Sequence, residues 1–341
     1  MLELSDIFES SLSATVSPPS RETPQYEEFY GFVQSPFTLA PDPRFLYLSP
    51  SHDAALQLLL QAINRKEGIV VLAGDIGTGK TTVCRSVLER LDMTCFTSLL
   101  LNPFLSVEEL LREILLDFGV VSREAVRSGR IGGATKHDLV STLHEFLVSL
   151  IPIGGSGVLI IDEAQHLSPA VLEELRVLSN LETNHQKLLQ IVLVGQLNLR
   201  DVLKSPQVTQ LDQRISIRAL LHPLTRKDVD LYIGHRLSMA RGSSSITFDT
   251  GALDAIYAAS KGIPRVINLL CDRSLMIGAS FGLRTIPADV VSEAASALGL
   301  RSARAKASAW RDHFWVWAGL AAAVIALVSA LLLFAPLSNP F

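Results

Sequence analysis

The 341-residue sequence predicts an α/β fold: a core of five parallel strands alternating with helices, then a helical domain, then one C-terminal helix able to cross a membrane. Three observations predict it. The stretch Gly74-Asp75-Ile76-Gly77-Thr78-Gly79-Lys80-Thr81-Thr82 fits the pattern G-x-x-x-x-G-K-[ST] without a mismatch. Short aliphatic runs, separated by helical stretches, recur from Ile69 to Leu221 as buried parallel strands do. From Phe314 to Phe341 no residue is charged.

Composition bounds what the chain can be. It is 48% hydrophobic and 19% charged with a net charge of −4, so it folds, and nothing in that balance favours a surface that coats nucleic acid. The three cysteines (Cys84, Cys95, Cys271) are far apart and in no metal spacing, which reads as free thiols of a reducing compartment. Met1 to Ser20 is acidic and rich in Ser and Pro, without the apolar stretch of a secretory leader.

Residues 1–24 are expected to be a disordered tail. From Tyr26 to Phe45 aromatics alternate with prolines, a texture that excludes a regular helix but demands burial; an ordered strap wrapped onto the nucleotide domain is expected. Ser49 to Arg65 carries apolar residues at helical spacing and leads into the first strand, Ile69 to Ala73. The glycine loop follows directly, and Val83 to Arg90 after it has no helix breaker. In that context the glycines let backbone N–H groups turn inward around a phosphate, and the helix N-terminus adds partial positive charge. Lys80 would reach the β- and γ-phosphates, and the Thr81 hydroxyl would ligate Mg²⁺.

Thr94 to Leu101 reads as a second strand, and Ser106 with Glu109 as a capping box opening a helix to Phe118. A loop from Ser122 to Ala134 precedes a helix from Lys136 to Leu150. The third strand, Val158 to Ile161, ends in Asp162-Glu163. Two acids at a strand tip are common on solvated edges; here they follow the phosphate loop in a βα alternation. Asp162 is read as the Mg²⁺ residue and Glu163 as the one that orients or deprotonates water. Ser168-Pro169 starts a helix to about Asn180, and Ile191 to Val194 forms a fourth strand. At its tip Gln196 is placed either to touch the γ-phosphate or simply to make the turn. Arg214 precedes the fifth strand, Ile215 to Leu221, where an arginine can be presented to a neighbouring subunit's nucleotide; Arg218 is the weaker choice.

From His222 onward only helices are expected, beginning near Thr225, Thr250, Pro264 and Pro287. Arg265 falls in the first turn of the third of these, an electrostatically unfavourable place that a phosphate partner would explain. Trp315 to Phe334 alone is 20 residues, about 30 Å of helix, with Trp310, Trp315 and Trp317 at its start. A buried core helix would carry a polar stripe, whereas Val316 to Phe334 offers only Ser329. Arg301, Arg304, Lys306 and Arg311 precede it, which places the preceding domains in the cytoplasm under the positive-inside rule. The mean hydropathy of +0.32 reflects this tail.

The order of these motifs resembles the AAA+ ATPases, and more specifically the ExeA/GspA group of general secretion pathway ATPases. The segments that carry the likeness are Phe29-Tyr30-Gly31-Phe32, Pro36-Phe37, Pro41-Asp42-Pro43, Ile161-Asp162-Glu163-Ala164-Gln165, Leu178 to Glu182, Val192 to Gln196 and Gly262 to Asn268. The resemblance covers about residues 26–300. It implies a nucleotide-binding α/β domain over 25–221, a helical lid over 222–300, a basic linker over 301–312, a membrane helix over 313–335 and a short tail over 336–341. It also implies ATP and Mg²⁺ as ligands, Gln196 as sensor 1, Arg214 as arginine finger and Arg265 as sensor 2, beside Lys80 and Glu163. Self-association, as a ring or a dimer through a nucleotide-bridged interface, follows from the same likeness. The expected role is a single-pass ATPase of the bacterial inner membrane that drives or licenses assembly of a cell-envelope complex, with membrane lipid and envelope proteins as partners. Secretion-type relatives carry a periplasmic peptidoglycan-binding module after the span, which this sequence is too short to hold. Two alternatives share the core: a DNA-associated ATPase of the transposition or replication-initiation kind, and a nucleotide-gated scaffold with negligible turnover.

Overall fold

The computed structural model of the chain describes residues 26–127, 133–184, 186–240 and 246–300. The expected N-terminal tail, the basic linker and the membrane helix at 313–335 lie outside them. Among the described residues no helix is long and apolar enough to cross a membrane.

The chain opens with a single helical turn, α1 (Tyr26–Tyr30), and reaches α2 (Pro50–Asn64) through an irregular strap. Then β1 (Ile69–Gly74), α3 (Lys80–Leu88), β2 (Cys95–Leu100), α4 (Val107–Asp117), α5 (Arg123–Arg127), α6 (Lys136–Ser149) and β3 (Ser156–Ile161) alternate. They are followed by α7 (Pro169–Leu178), β4 (Leu189–Gly195), α8 (Leu199–Leu203), α9 (Thr209–Asp212) and β5 (Ile215–Leu221). The five strands are all parallel, in the order β2-β3-β4-β1-β5.

Successive side chains of a strand face opposite sides of the sheet, and both sides here are covered. Ile69 and Val71 of β1 join Leu159, Ile191, Leu193 and the apolar faces of α4, α6 and α7. Val70 and Leu72 join Val158, Ile160, Val192, Val194 and the helices α2 and α3 on the other side. Local signals fix the helix starts. Ser106 accepts from the Glu109 N–H while the Glu109 carboxylate accepts from the Ser106 N–H, so two orphan donors of α4 are satisfied. Thr135 and Asp138 do the same for α6.

The lid consists of α10 (Arg226–Ala240), β6 (Thr247–Phe248), α11 (Thr250–Ser260), α12 (Pro264–Ser280), β7 (Thr285–Ile286) and α13 (Ala288–Ala297). Four expectations change. The lid is not purely helical, because β6 and β7 pair in parallel and bury Phe248 and Ile286. The segment from Tyr26 does contain a helix, though one of five residues that ends at Gly31, whose φ is +65°. The stretch read as a loop from Ser122 contains α5. Finally, the strap aromatics Tyr26, Tyr30, Phe32, Phe37 and Phe45 enter the core of the lid, with Leu224, Ile233, Phe248, Ile267 and Leu275, and not the core of the nucleotide domain. The physical reason is that both faces of the sheet are already filled by its own helices, whereas the lid helices leave an apolar face that the strap closes.

Candidate active site

The site is built at the C-terminal ends of β1, β3 and β4. β1 ends at Gly74, and the loop to α3 turns through Gly77 and Gly79, with φ of +78° and +101°. Those left-handed conformations favour glycine, and Gly77 has a second reason to be one: a Cβ there would lie 2.7 Å from the Cβ of Arg265. Lys80 opens α3 and is buried, its ammonium donating to the carbonyls of Gly74 (3.0 Å) and Asp75 (2.9 Å). Burial depresses its pKa, and the nearby Glu163, Asp162 and Asp75 oppose that shift.

The loop is braced from beneath by a residue that sequence reasoning missed. His52 of α2 lies 2.9 Å through Nε2 from the Thr78 carbonyl and 2.7 Å through Nδ1 from the Ser49 hydroxyl. A carbonyl only accepts, so Nε2 carries the hydrogen and Nδ1 of the neutral ring accepts from Ser49. Burial lowers the pKa of this imidazole.

At the tip of β3, Asp162 is buried and accepts from the Thr81 hydroxyl at 2.5 Å and from the Glu163 N–H at 2.8 Å. Thr81 and Asp162 therefore present hard oxygens to one point. Mg²⁺ takes one or two protein oxygens and completes its shell with phosphate and water, and this donor pair fits it. Among the described residues no cluster of three His, Cys, Asp or Glu could hold a metal by itself, so a cation here would depend on the phosphate oxygens. The glycine cradle and Lys80 likewise fit a polyphosphate.

Glu163 faces the same cleft as Lys80 and Arg265. Its backbone is left-handed (φ +51°, ψ +35°), which costs a non-glycine residue about 1–2 kcal/mol. Its Oε2 accepts from Gln165 Nε2 at 2.5 Å and from Gln196 Nε2 at 3.3 Å. Gln196 is thus brought beside Glu163. Arg265 stands at the mouth of the cleft in the first turn of α12 and, among the described residues, makes no ion pair.

Arg214 is the one expected site residue that lies elsewhere. It precedes β5, whose first residue pairs with Ile69 and whose last pairs with Gly74. It is therefore roughly 20 Å of strand from its own phosphate loop, and its guanidinium donates to Asn180 Oδ1. Arg218 is engaged with Asp212 at 2.9 Å.

The other wall of the cleft was not anticipated. Thr38 to Asp42 of the strap line it, together with Tyr232, Arg236 and Asn268 of the lid. Arg236 is buried: Nε donates to the Pro36 carbonyl (2.6 Å), Nη2 to the Thr38 carbonyl (3.2 Å) and Nη1 to the Tyr232 hydroxyl (3.0 Å). Its guanidinium also lies 4.8 Å from the centre of the Phe45 ring. Asn268, within the stretch that carried the family likeness, accepts from Tyr232 and donates to the Thr38 carbonyl.

Comparisons with known proteins bear on the family and the fold. Residues 63–203 match the family described as "AAA domain". General secretion pathway protein A of Aeromonas hydrophila is 40% identical over 271 residues, which are 79% of this chain and 48% of that protein. The chain thus spans about half the length of that curated relative. Among solved structures, the ORC2 protein of Aeropyrum pernix, in its ADPNP–ADP complexes, is similar with a TM-score of 0.59 at 15% identity, covering 77% of this chain and 71% of that one. Cdc6p of Pyrobaculum aerophilum gives 0.58 at 17% identity, over 74% and 67% of the two chains. At such identities these two likenesses speak to the fold alone.

Proposed function

The chain belongs to the AAA+ proteins of the ExeA/GspA type, and on that premise we propose that it is a membrane-anchored ATPase that drives or licenses assembly of a cell-envelope complex. The observation that carries the ATPase part is the convergence of Lys80, Thr81, Glu163 and Arg265 on one cleft, with Asp162 bonded to Thr81 and Gln196 to Glu163. Lys80 would leave the carbonyls of Gly74 and Asp75 and bind the β- and γ-phosphates of ATP. Thr81 and Asp162 would hold Mg²⁺, which supplies neutralisation of charge on the phosphate oxygens when bound. Glu163 would accept the proton of the attacking water, while Gln196 and Arg265 contact the γ-phosphate from the sheet and from the lid. Arg214 would act on the nucleotide of a neighbouring copy, which makes self-association part of the mechanism.

Support for the envelope role is the likeness to general secretion pathway protein A, together with the charge-free run after Arg311 and Asp312. The ATPase reading is tested with two variants. Lys80→Ala should abolish ATP binding, because the polyphosphate loses its principal cation. Glu163→Gln keeps shape and volume, so ATP should bind and persist unhydrolysed. Equal loss of binding in both variants would overturn the division of labour, and sustained turnover by Glu163→Gln would remove Glu163 as the base.

A further inference from the structure

Gln165 is the best-anchored side chain beside Glu163. It lies four residues past the end of β3, in the short turn Ala164–His166, and is 7% exposed. Both ends of its amide are engaged. Nε2 donates to Glu163 Oε2 at 2.5 Å, and Oε1 accepts the backbone N–H of Gln196 at 3.1 Å. The amide therefore bridges the tips of β3 and β4, two neighbours in the sheet.

Two further observations show that the bridge is built into the fold. The first is Gly195: a Cβ there would stand 2.6 Å from Gln165 Oε1, so glycine at the end of β4 is what lets the amide reach across. The second is the left-handed backbone of Glu163. Held off the strand in that conformation, its carboxylate owes its direction to side-chain partners. Gln196 offers only a 3.3 Å contact, which leaves the shorter Gln165 bond to set the orientation. Both bonds fall on Oε2, so Oε1 is the oxygen left to meet water.

We propose that Gln165 is a positioning residue: its amide aims the Glu163 carboxylate into the cleft and ties that aim to the position of Gln196. The proposal rests on Glu163 being the base. It predicts that Gln165 matters to turnover and hardly at all to nucleotide binding, because no atom of Gln165 takes part in the cradle of Gly77 to Thr81. Misdirecting a base by an ångström can cost on the order of 10²-fold in rate.

The experiment uses the full chain with Mg²⁺, and follows ATP turnover beside the affinity for a fluorescent non-hydrolysable ATP analogue. Gln165→Ala should slow turnover by about 10²-fold and leave analogue affinity within about twofold, on the reasoning that a group acting only in the reacting state spares binding. Combined with Glu163→Gln it should add no further loss. Gly195→Ala should also slow turnover in the wild-type background, by pushing the amide aside, though its Cβ would press on Leu199 Cδ2 at 2.9 Å as well. Should Gln165→Ala fail to fold, Gln165→Met fills the same space without the amide and carries the same expectation. Unchanged or faster turnover in Gln165→Ala, a parallel loss of analogue binding, or additivity with Glu163→Gln would each overturn the proposal. Failure of the base assignment looks different: Glu163→Gln itself would keep turning over.

Discussion

The backbone N–H of Arg265 donates to the carbonyl oxygen of Gly77 across 3.2 Å. The first turn of α12 thus rests directly on the phosphate loop, with no side chain between them. Within the lid, Leu224 donates its N–H to the Gly262 carbonyl at 2.8 Å, which ties the start of the lid to the turn that leads into α12.

That contact predicts the outcome of Gly77→Ala. The added methyl meets the Arg265 Cβ at 2.7 Å, and the backbone must hold φ of +78°. Gly119→Ala is the matched control, with φ of +74° and nothing within 4 Å of the added carbon. The control should lose about 1–2 kcal/mol in urea unfolding. Gly77→Ala should lose more than the control and should also weaken nucleotide binding. Equal losses, with binding unchanged, would show that the lid does not depend on this contact.

Arg214 is predicted to act across a subunit interface, since its own phosphate loop is at the far end of the sheet. Arginine fingers are worth on the order of 10³–10⁵ in turnover and little in ground-state binding. Arg214→Ala should therefore bind ATP nearly normally and hydrolyse it very slowly. Mixing it with Lys80→Ala should recover part of the activity, because one complete composite site forms between the two. Mixed oligomers that never exceed the sum of the separate variants would remove the assignment.

His52 makes stability depend on pH. Burial holds its folded pKa below the ordinary 6.5, so above that value the ring is neutral in both states and contributes no pH dependence. As pH falls below 6.5 the unfolded chain takes up a proton that the folded chain refuses, and stability declines until pH passes the lowered folded value. Urea midpoints measured between pH 7.5 and 5 should fall on acidification, and His52→Gln should remove part of that slope. An unaltered slope in His52→Gln would assign the acid sensitivity to other groups.

Membrane attachment is predicted to be a single span over 313–335, with Pro336 to Phe341 on its far side. Removing the chain after Asp312 should release an ATP-binding protein from the membrane fraction. A cysteine placed after Phe341, with Cys84, Cys95 and Cys271 replaced, should react in intact cells with a membrane-impermeant thiol reagent. Labelling seen only after lysis would exclude the span.

The strap predicts a loss confined to the lid. Phe37 is 2% exposed and meets Phe248 edge to face, so Phe37→Ala should destabilise the lid by about 3–5 kcal/mol. Limited proteolysis should then cut within 224–300 while the sheet stays resistant. Cleavage spread evenly over both domains would contradict the assignment of the strap to the lid core.

How much of this was legible follows from the range of each interaction. The strands, the glycine loop and the helix starts at Ser106, Ser168 and Pro264 are written in residues within a few positions of one another, and the sequence places them to within a residue or two. What escaped is tertiary. The aromatics from Tyr26 to Phe45 announce burial but carry no address, and the lid core that receives them is encoded roughly 180 residues later. The two-residue strands β6 and β7 are too short for any periodicity. Gln165 and His52 owe their places to partners just past β4 and in the phosphate loop. Arg236 gives no local sign that its charge will be satisfied by the carbonyls of Pro36 and Thr38.

The strap also sets the sequence in which a newly made chain must settle. Its aromatics leave the ribosome well ahead of the lid residues they will finally touch, which lie between Leu224 and Ala295. Contacts so far apart are entropically expensive to form directly. Folding of the intervening sheet brings the two ends within reach, so docking of the strap on the lid is expected to follow closure of the α/β core. Until then Tyr30, Phe32 and Phe37 are exposed apolar groups on a growing polypeptide, the kind of surface that chaperones bind and that aggregates when they do not. The strap is synthesised long before the lid that buries it.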